Sequence, residues 1–247
     1  MRVLAVLAGL FFVVGTTQQA ISPWGSVTLS NTNGVHDSNL HRWSAALAGG
    51  PDLGAAAVLF YIAWRPLSSP LVLQWLALAV PIFLAANIPF AGPAVALIAI
   101  PIVLVLVAYP RPRTLLDAPW NEGLSIPRLA VGGVIAVALL VEGAIAIAAQ
   151  IHGGDELAVN YDWASNGEHL INVGLAALLA GMKKPGARAL GFMAGAVVAF
   201  MGAAAITVPS NPGSWGMLGG VAGIAAGSIL IAITAYDLRG KHVLTPS

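Results

Sequence analysis

Long apolar runs, separated by short stretches rich in Pro, Gly, Asn or charge, constrain this 247-residue chain more than any other feature. A helix that crosses the hydrocarbon core of a bilayer needs about 20 mostly apolar residues. Only 9% of the residues are charged, whereas soluble domains carry about 25%. The sequence therefore predicts an all-α, polytopic integral membrane helix bundle. Eight transmembrane helices are expected, at 3–22, 43–64, 70–88, 93–109, 129–150, 166–182, 187–207 and 215–236.

The composition also excludes several functional classes. Eleven Lys and Arg against ten Asp and Glu leave a net charge of +1, so the chain lacks the basic surface that a nucleic acid partner needs. Because cysteine is absent, disulfides, thiolate metal sites and cysteine nucleophiles are excluded. The sequence contains no phosphate-binding loop, nucleophile elbow or zinc-protease motif. No complete catalytic constellation is present, which favours a protein that is not an enzyme.

The distribution of positive charge predicts the orientation of the spans, because short cytoplasmic loops collect Lys and Arg. With the N-terminus inside, ten of the eleven basic residues fall in cytoplasmic segments and only Arg42 falls outside. Both termini are therefore expected in the cytoplasm. No small-residue cleavage site occurs near 18–20, so the first run is expected to remain as a helix. The ten residues are Arg2, Arg65, Arg111, Arg113, Arg128, Lys183, Lys184, Arg188, Arg239 and Lys241.

Two halves of the chain share one order of segments, which predicts an internal repeat of four helices. Each half has a helix, a long outer loop ending in a His, a second helix, a basic turn with Pro, and a helical pair. Since four is even, the copies must be parallel, related by an axis along the membrane normal. The expected units are 1–109 and 129–247, joined by a cytoplasmic linker at 110–128. The anchors are 38–41 against 165–169, 65–66 against 184–185, and 87–89 against 211–212.

A short element opens the second helix of the first half. Asp37 and His41 are four residues apart, and a run of small residues follows at 44–50. With this Asn/Asp-x-x-x-His element, each half resembles small four-helix bacterial inner-membrane domains that have no assigned activity. The resemblance implies architecture and a bacterial-type inner membrane, and no particular chemistry. The second half departs from the element, with Ser165 at the acidic position, so the two copies are not expected to share one ligand-binding role.

Ionisable side chains within a predicted span are costly in lipid and are therefore candidates for function. Glu142 lies 14 residues after Arg128, and His169 lies 14 residues before Lys183. A rise of 1.5 Å per residue then puts both about 21 Å from the cytoplasmic end. Asp52 is expected at a similar height, unless a helix start at 49–51 moves it. Glu142 and His169 are expected to share a proton, to form a structural interhelical hydrogen bond, or to make no contact.

Amides and histidines provide weaker candidates. Gln18 and Gln19, in the outer part of the first helix, are expected to bridge helices by hydrogen bonds. Imidazole with nearby carboxylates suits zinc, copper, iron or nickel, and His41 with His169 is the repeat-related pair that would hold haem. The sequence alone leaves the cofactor unknown. The candidate metal ligands are His36, His41, His152 and His169.

The eighth helix carries a stripe of small residues, Gly219, Gly223 and Gly227, which predicts close contact with a helix of this chain or of a partner membrane protein. The scarcity of polar groups within the spans favours a non-catalytic accessory, assembly or scaffold subunit of a membrane complex. One alternative is a carrier or small-molecule binder with a Glu/His site between the two repeats. Another is a membrane metal or haem protein that uses the outer histidines.

Overall fold

Helices form almost all of the structure, a computed structural model that describes residues 1–25, 40–67 and 69–239. Within these residues there is no β-strand, only an isolated backbone bridge between Leu124 and Met182. Two 3-10 helices lie at Pro93–Ala99 and Pro112–Leu115. The α-helices are α1 (Arg2–Ile21), α2 (Arg42–Trp64), α3 (Pro70–Ala91), α4 (Ile100–Val107), α5 (Ile126–His152), α6 (Glu156–Val159), α7 (Asp162–Leu179), α8 (Ala187–Thr207) and α9 (Gly216–Arg239).

Six of the described helices are long and apolar enough to cross a membrane. They are α1, α2, α3, α5, α8 and the part of α9 over Gly216–Tyr236. The predicted all-helical membrane bundle is confirmed at this level. Two of the eight expected spans differ for identifiable reasons. The apolar run 93–107 is divided between a 3-10 helix and the eight-residue α4, and polar side chains lower the hydropathy of α7.

Prolines mark helix starts and also lie inside helices. Pro70 is the first residue of α3, where the missing N–H costs nothing because the first helical donors have no intrahelical partner. Pro51 lies inside α2, which continues through it without ending. The helix start considered at 49–51 is therefore wrong, and Asp52 lies within a continuous helix.

Three pairs of helices make the most extensive contacts within the described residues. The helix α1 packs along α2, α5 packs along α7, and α8 packs along α9. In the centre, α2 contacts α7 and α8, while α7 also contacts α3. Burial follows this order, since 61% of the residues in the α2 span are buried, against 33% for α1 and α5 and 22% for α9. The inner helices therefore provide the positions at which polar side chains can be kept from lipid.

The small-residue stripe of α9 packs against α8 of the same chain. A Cβ atom at Gly220 would lie 2.7 Å from the carbonyl oxygen of Gly202, and one at Gly223 would lie 3.2 Å from the Cα atom of Gly202. Gly227 faces the backbone of Gly195 in the same way, whereas Gly219 faces Trp215 of its own chain. The α9 face formed by Gly223 and Gly227 is therefore covered by α8. The contact expected of the stripe is made within this chain, and a partner membrane protein on α9 stays a prediction.

The segment between the two halves is held against one end of the bundle. The Nε2 atom of Gln74 in α3 donates to the backbone carbonyls of Leu115, at 3.0 Å, and Asp117, at 2.6 Å. The Nζ atom of Lys184 donates to the same Asp117 carbonyl at 3.2 Å. The helix α5 begins beyond this segment at Ile126, with Pro127 in its first turn, three residues earlier than expected.

Candidate functional site

A cavity of about 330 Å³ lies between α1, α2, α3, α7, α8 and the segment 93–107. Its lining is mainly apolar and includes the rings of Phe11, Phe12, Trp75 and Phe83. Small-molecule sites usually measure about 300–1,000 Å³ and combine apolar walls with a few polar groups. The cavity therefore has the size and the walls of a small-molecule site.

Asp52 of α2 and Glu168 and His169 of α7 are the ionisable side chains among the described residues that line this cavity. The Nε2 atom of His169 lies 3.3 Å from Oδ1 of Asp52, and its Nδ1 atom lies 3.0 Å from Oε2 of Glu168. Glu168 and His169 are buried, whereas Asp52 is partly exposed. We call these three residues the acid–imidazole cluster, and it joins one helix from each half of the chain.

The hydrogen bonds of His169 determine how many protons the cluster holds. Its Nδ1 atom lies 2.7 Å from the backbone carbonyl oxygen of Ser165. Since a carbonyl oxygen can only accept, Nδ1 carries a hydrogen and donates it. The contact between Nε2 and Asp52 then needs one more proton, carried either by Nε2 as imidazolium or by Asp52 as a carboxylic acid. A hydrogen bond between Nε2 and Asp52 therefore requires that the pair share one proton.

Asn172 supports the cluster from the next turn of α7. Its Nδ2 atom donates to Oε1 of Glu168, and the indole N–H of Trp75 donates to its backbone carbonyl at 2.9 Å. Its side-chain oxygen, Oδ1, is buried and has no hydrogen-bond partner within the described part of the chain. Because Asn172 lines the cavity, this unpartnered acceptor belongs to a residue of the cavity wall.

Close helix contacts position Asp52. A Cβ atom at Gly49 would overlap the backbone of Ala20 in α1, and one at Gly50 would lie 2.6 Å from the ring of Phe200 in α8. Glycine at these two positions therefore lets α2 fit between α1 and α8. The small-residue run seen in the sequence thus serves packing, and Asp52 is left facing the cavity.

Glu142 does not reach this cluster. It lies on the exposed side of α5, while the adjacent Gly143 packs on α7, where a Cβ atom would lie 2.9 Å from the carbonyl oxygen of Gly167. Residues two apart on a helix point about 200° apart, so His169 points away from α5. Of the three arrangements expected for Glu142 and His169, the structure therefore has the one without contact.

The two glutamines of α1 have different surroundings. Gln19 lines the cavity, together with Thr16 one turn earlier. Gln18 lies on the exposed side of the helix. The hydroxyl of Thr16 donates to the carbonyl of Phe12 in its own helix at 2.7 Å. The bridging role expected for the two amides stays a prediction, and Gln19 adds a polar group to the cavity.

A second charged cluster lies at the start of α2. His41 directs Nδ1 at the carboxylate of Asp162 and places Nε2 3.2 Å from Oε1 of Glu156. Burial alone would lower the pKa of His41, but the hydrogen bonds and charges of these two carboxylates outweigh burial and raise the pKa above its ordinary value of 6.5. The cluster ties α2 of the first half to α6 and α7 of the second.

The histidines expected as metal ligands do not form one site. His41 and His169 belong to separate clusters, and His152 is exposed, with Nδ1 2.8 Å from the carbonyl oxygen of Ala148. His36 lies outside the described residues. Within the described ranges, no three His, Asp or Glu side chains are arranged to hold a metal ion. The facing pair expected for haem is also not formed, because His169 lies two turns inside α7 whereas His41 precedes α2.

Glu168 and Asn172 are the site residues that sequence reasoning missed. Glu168 lies near the start of the sixth expected span, 166–182, but it is not among the ionisable candidates proposed for the spans. A signal was present, since Ser165, Glu168, His169 and Asn172 are spaced at intervals of three, four and seven residues from the first. This spacing places polar side chains on one face of a helix.

Comparisons of the chain with protein-family models, with curated proteins and with solved structures give no match. The resemblance based on Asp37 and His41 stays a prediction, and Asp37 lies outside the described residues. The geometry of the chain's own residues therefore carries the functional conclusion.

Proposed function

We propose that the protein is a multi-pass membrane protein that binds a small molecule in the cavity, as a carrier or as a membrane-embedded receptor. One observation carries this proposal: an apolar cavity into which two carboxylates and an imidazole converge. Ionisable groups within a helical membrane bundle are rare and usually mark a substrate or ion pathway. The sequence offers this function as the alternative to an accessory subunit. There the acidic partner expected for His169 is Glu142, whereas in the structure the acids beside His169 are Asp52 and Glu168.

In this proposal the chain has eight spans, both termini in the cytoplasm of a bacterial-type inner membrane, and two parallel units that meet at the cavity. The helix contacts support a two-fold relation that exchanges α1, α2, α3 and α4 with α5, α7, α8 and α9. The contact of α2 with α8 then corresponds to that of α7 with α3, and the contact of α1 with α4 corresponds to that of α5 with α9. Parallel copies related by an axis along the membrane normal would give this pattern.

The sequence supports the same relation with a different register from that of the histidine anchors. Trp43 and Trp163 are 120 residues apart, as are Asp52 and Asn172. Gly54 and Gly174 share the offset. Asp52 and Asn172, which both line the cavity, would then be equivalent positions of the two units.

Blocking the cavity tests the proposed function. Gly15 lines the cavity, and a Cβ atom there would meet nothing within 4 Å, so Gly15→Phe adds a ring to open space. Gly133 of α5 is equally open but is not among the cavity-lining residues, which makes Gly133→Phe the matched control.

The probes are 2-phenylethylamine, 2-phenylethanol and 3-phenylpropionate, and their binding is measured by calorimetry on protein in lipid nanodiscs. At least one probe is expected to bind the wild type and Gly133→Phe, and to bind Gly15→Phe at least tenfold more weakly. Absence of binding by all three probes, or equal binding by the two variants, would contradict the proposal.

A specific observation favours the accessory subunit as a second candidate. Glu142 is exposed on α5 beside Val141 and Ile145, which are 54% and 58% exposed. An acidic side chain at the centre of a membrane helix costs about 3 kcal/mol when nothing covers it. A partner helix that covers Glu142 would remove this cost. If such a partner exists, a second protein should co-purify stoichiometrically with the wild type in mild detergent. This protein should be lost from preparations of Glu142→Gln. A wild-type protein that always purifies alone would rule out this candidate.

A further inference from the structure

We infer that the ligand is a small organic amine with an apolar body, whose ammonium group exchanges with the proton held between Asp52 and His169. This inference rests on the proposed function and specifies the chemistry of its site.

The polar groups of the cavity accept hydrogen bonds from a cation. His169 engages Oδ1 of Asp52, while Oδ2 has no hydrogen-bond partner within the described part of the chain. The Oδ1 atom of Asn172 is likewise buried without a partner among the described residues. No Lys or Arg occurs among the described residues that line the cavity. An ammonium group offers three donors and one positive charge, which these acceptors fit, whereas a carboxylate or phosphate would meet repulsion.

The walls suit an apolar body that carries the amine. Phe11, Phe12, Trp75 and Phe83 all line the cavity. Aromatic faces attract an ammonium group, most strongly where water is excluded. The rest of the ligand gains affinity by burying apolar surface against the same walls. A compact molecule with one amine and one aromatic or aliphatic group therefore matches the site.

The inferred exchange keeps the charge of the cluster constant. Before the amine binds, Glu168 accepts from Asn172 and contacts His169, and one proton neutralises the Asp52–His169 pair. An ammonium group at Asp52 supplies the same single positive charge. The proton then leaves, His169 remains neutral with hydrogen on Nδ1, and Asp52 is an ionised carboxylate paired with the ligand. One cation enters and one proton departs, so the charge of the buried cluster does not change.

The two carboxylates have different parts in this exchange. The Glu168 side chain is 5% exposed, and both of its oxygens face groups of α7. The Asp52 side chain is 23% exposed. Asp52 is therefore the carboxylate that a ligand reaches, and Glu168 is the buried carboxylate beside His169.

The three phenyl probes named above test the inference on the full chain in nanodiscs at pH 7, because they differ mainly in charge. We expect 2-phenylethylamine to bind at least tenfold more tightly than 2-phenylethanol or 3-phenylpropionate. A pH indicator in weakly buffered solution is expected to report about one proton released for each amine bound. The affinity should then rise by up to about tenfold for each unit by which the pH is raised, as linkage to one proton requires.

Asp52→Asn is the decisive variant, and Asp117→Asn is its control, since the Asp117 side chain lies on the exposed segment between the two halves. We expect Asp52→Asn to weaken amine binding at least tenfold and to abolish proton release, and Asp117→Asn to change neither. If Asp52→Asn does not fold, the comparison of the three probes on the wild type still decides. Tighter binding of the alcohol or the carboxylate, or amine binding without proton release, would overturn this inference and leave the proposed function intact. If no probe binds, the proposed function itself fails.

Discussion

Glu142 and Glu168 are two glutamates at nearly the same height whose surroundings differ completely. Each is the immediate neighbour of a glycine in the contact between α5 and α7, where Gly143 meets the backbone of Gly167. Glu168 turns into the bundle and bonds to Asn172, whereas Glu142 turns outward and is exposed. A step of one residue rotates a side chain by about 100°. Height along the helix axis therefore does not determine whether an acid can reach the cavity-lining cluster. The direction in which its side chain points around the helix axis does.

The largest expected effect comes from breaking the inward cluster. His169→Ala removes a side chain that contacts both Asp52 and Glu168 and leaves the two acids without this shared partner. Loss of one partner from a buried ionic group costs about 3 kcal/mol or more. Denaturant unfolding in detergent should show a loss of this size for His169→Ala. His152→Ala, on the exposed end of α5, should change the free energy of unfolding by less than about 0.5 kcal/mol. Equal effects would contradict the inward cluster.

Substitutions at two adjacent glycines compare the side of α5 that packs on α7 with the side that does not. A Cβ atom at Gly132 would overlap the carbonyl oxygen of Ala177 in α7, whereas one at Gly133 would meet nothing within 4 Å. Overpacking of this kind costs about 1–3 kcal/mol, and alanine in an open helical position gains about 0.5–1 kcal/mol over glycine. Thermal unfolding should therefore show Gly132→Ala destabilised and Gly133→Ala unchanged or stabilised. The opposite order would show that α5 is rotated differently.

The cluster at the start of α2 gives a pH-dependent effect of intermediate size. Because the folded pKa of His41 is raised, its contribution to stability is fully present below the unfolded pKa near 6.5 and is lost as the pH rises through the folded pKa. The difference in unfolding free energy between the wild type and His41→Gln should be about 1 kcal/mol at pH 6 and should shrink as the pH rises. His152→Gln serves as the control. A difference that grows with pH would contradict the contacts with Asp162 and Glu156.

The smallest effect is expected at the outward acid. Glu142→Gln should change the free energy of unfolding in detergent by less than about 0.5 kcal/mol, because Glu142 meets detergent in the folded and in the unfolded chain and contacts no buried cluster. Exposure also predicts its chemistry, since a lipid-soluble carbodiimide reacts with carboxyl groups that it can reach. Mass spectrometry should find the adduct on Glu142 and not on Glu168. An adduct on Glu168 alone would reverse the comparison.

The helices and the height of the cluster could be predicted from the sequence, because hydropathy and a fixed rise per residue determine both. Asp52 and His169 were expected at one height, and they are 3.3 Å apart. The sequence also indicates which face of α5 packs against the bundle, although the prediction for Glu142 did not take this signal into account. Gly132, Ala136, Leu139, Gly143 and Ala146 repeat every three or four residues and are buried, which excludes Glu142 from the packed face.

The cavity and the partner of the α9 stripe depend on how helices distant in sequence pack together. Local sequence patterns do not predict this packing. The cavity requires α1, α3 and α8 to leave space beside Asp52, which no local pattern specifies. The partner of the α9 stripe could be predicted only in part. Gly195 and Gly202 of α8 offer a matching small-residue face, so an assignment within this chain was available, yet the sequence cannot exclude a second protein.

Amine affinity in two acid variants tests the central claim most directly: that the acid facing the cavity acts and the outward acid does not. Calorimetry of 2-phenylethylamine with nanodisc-embedded protein compares Asp52→Asn with Glu142→Gln. Affinity is predicted to fall at least tenfold in Asp52→Asn and to stay within about twofold of the wild type in Glu142→Gln. Equal losses in both variants, or a loss in Glu142→Gln alone, would contradict the account.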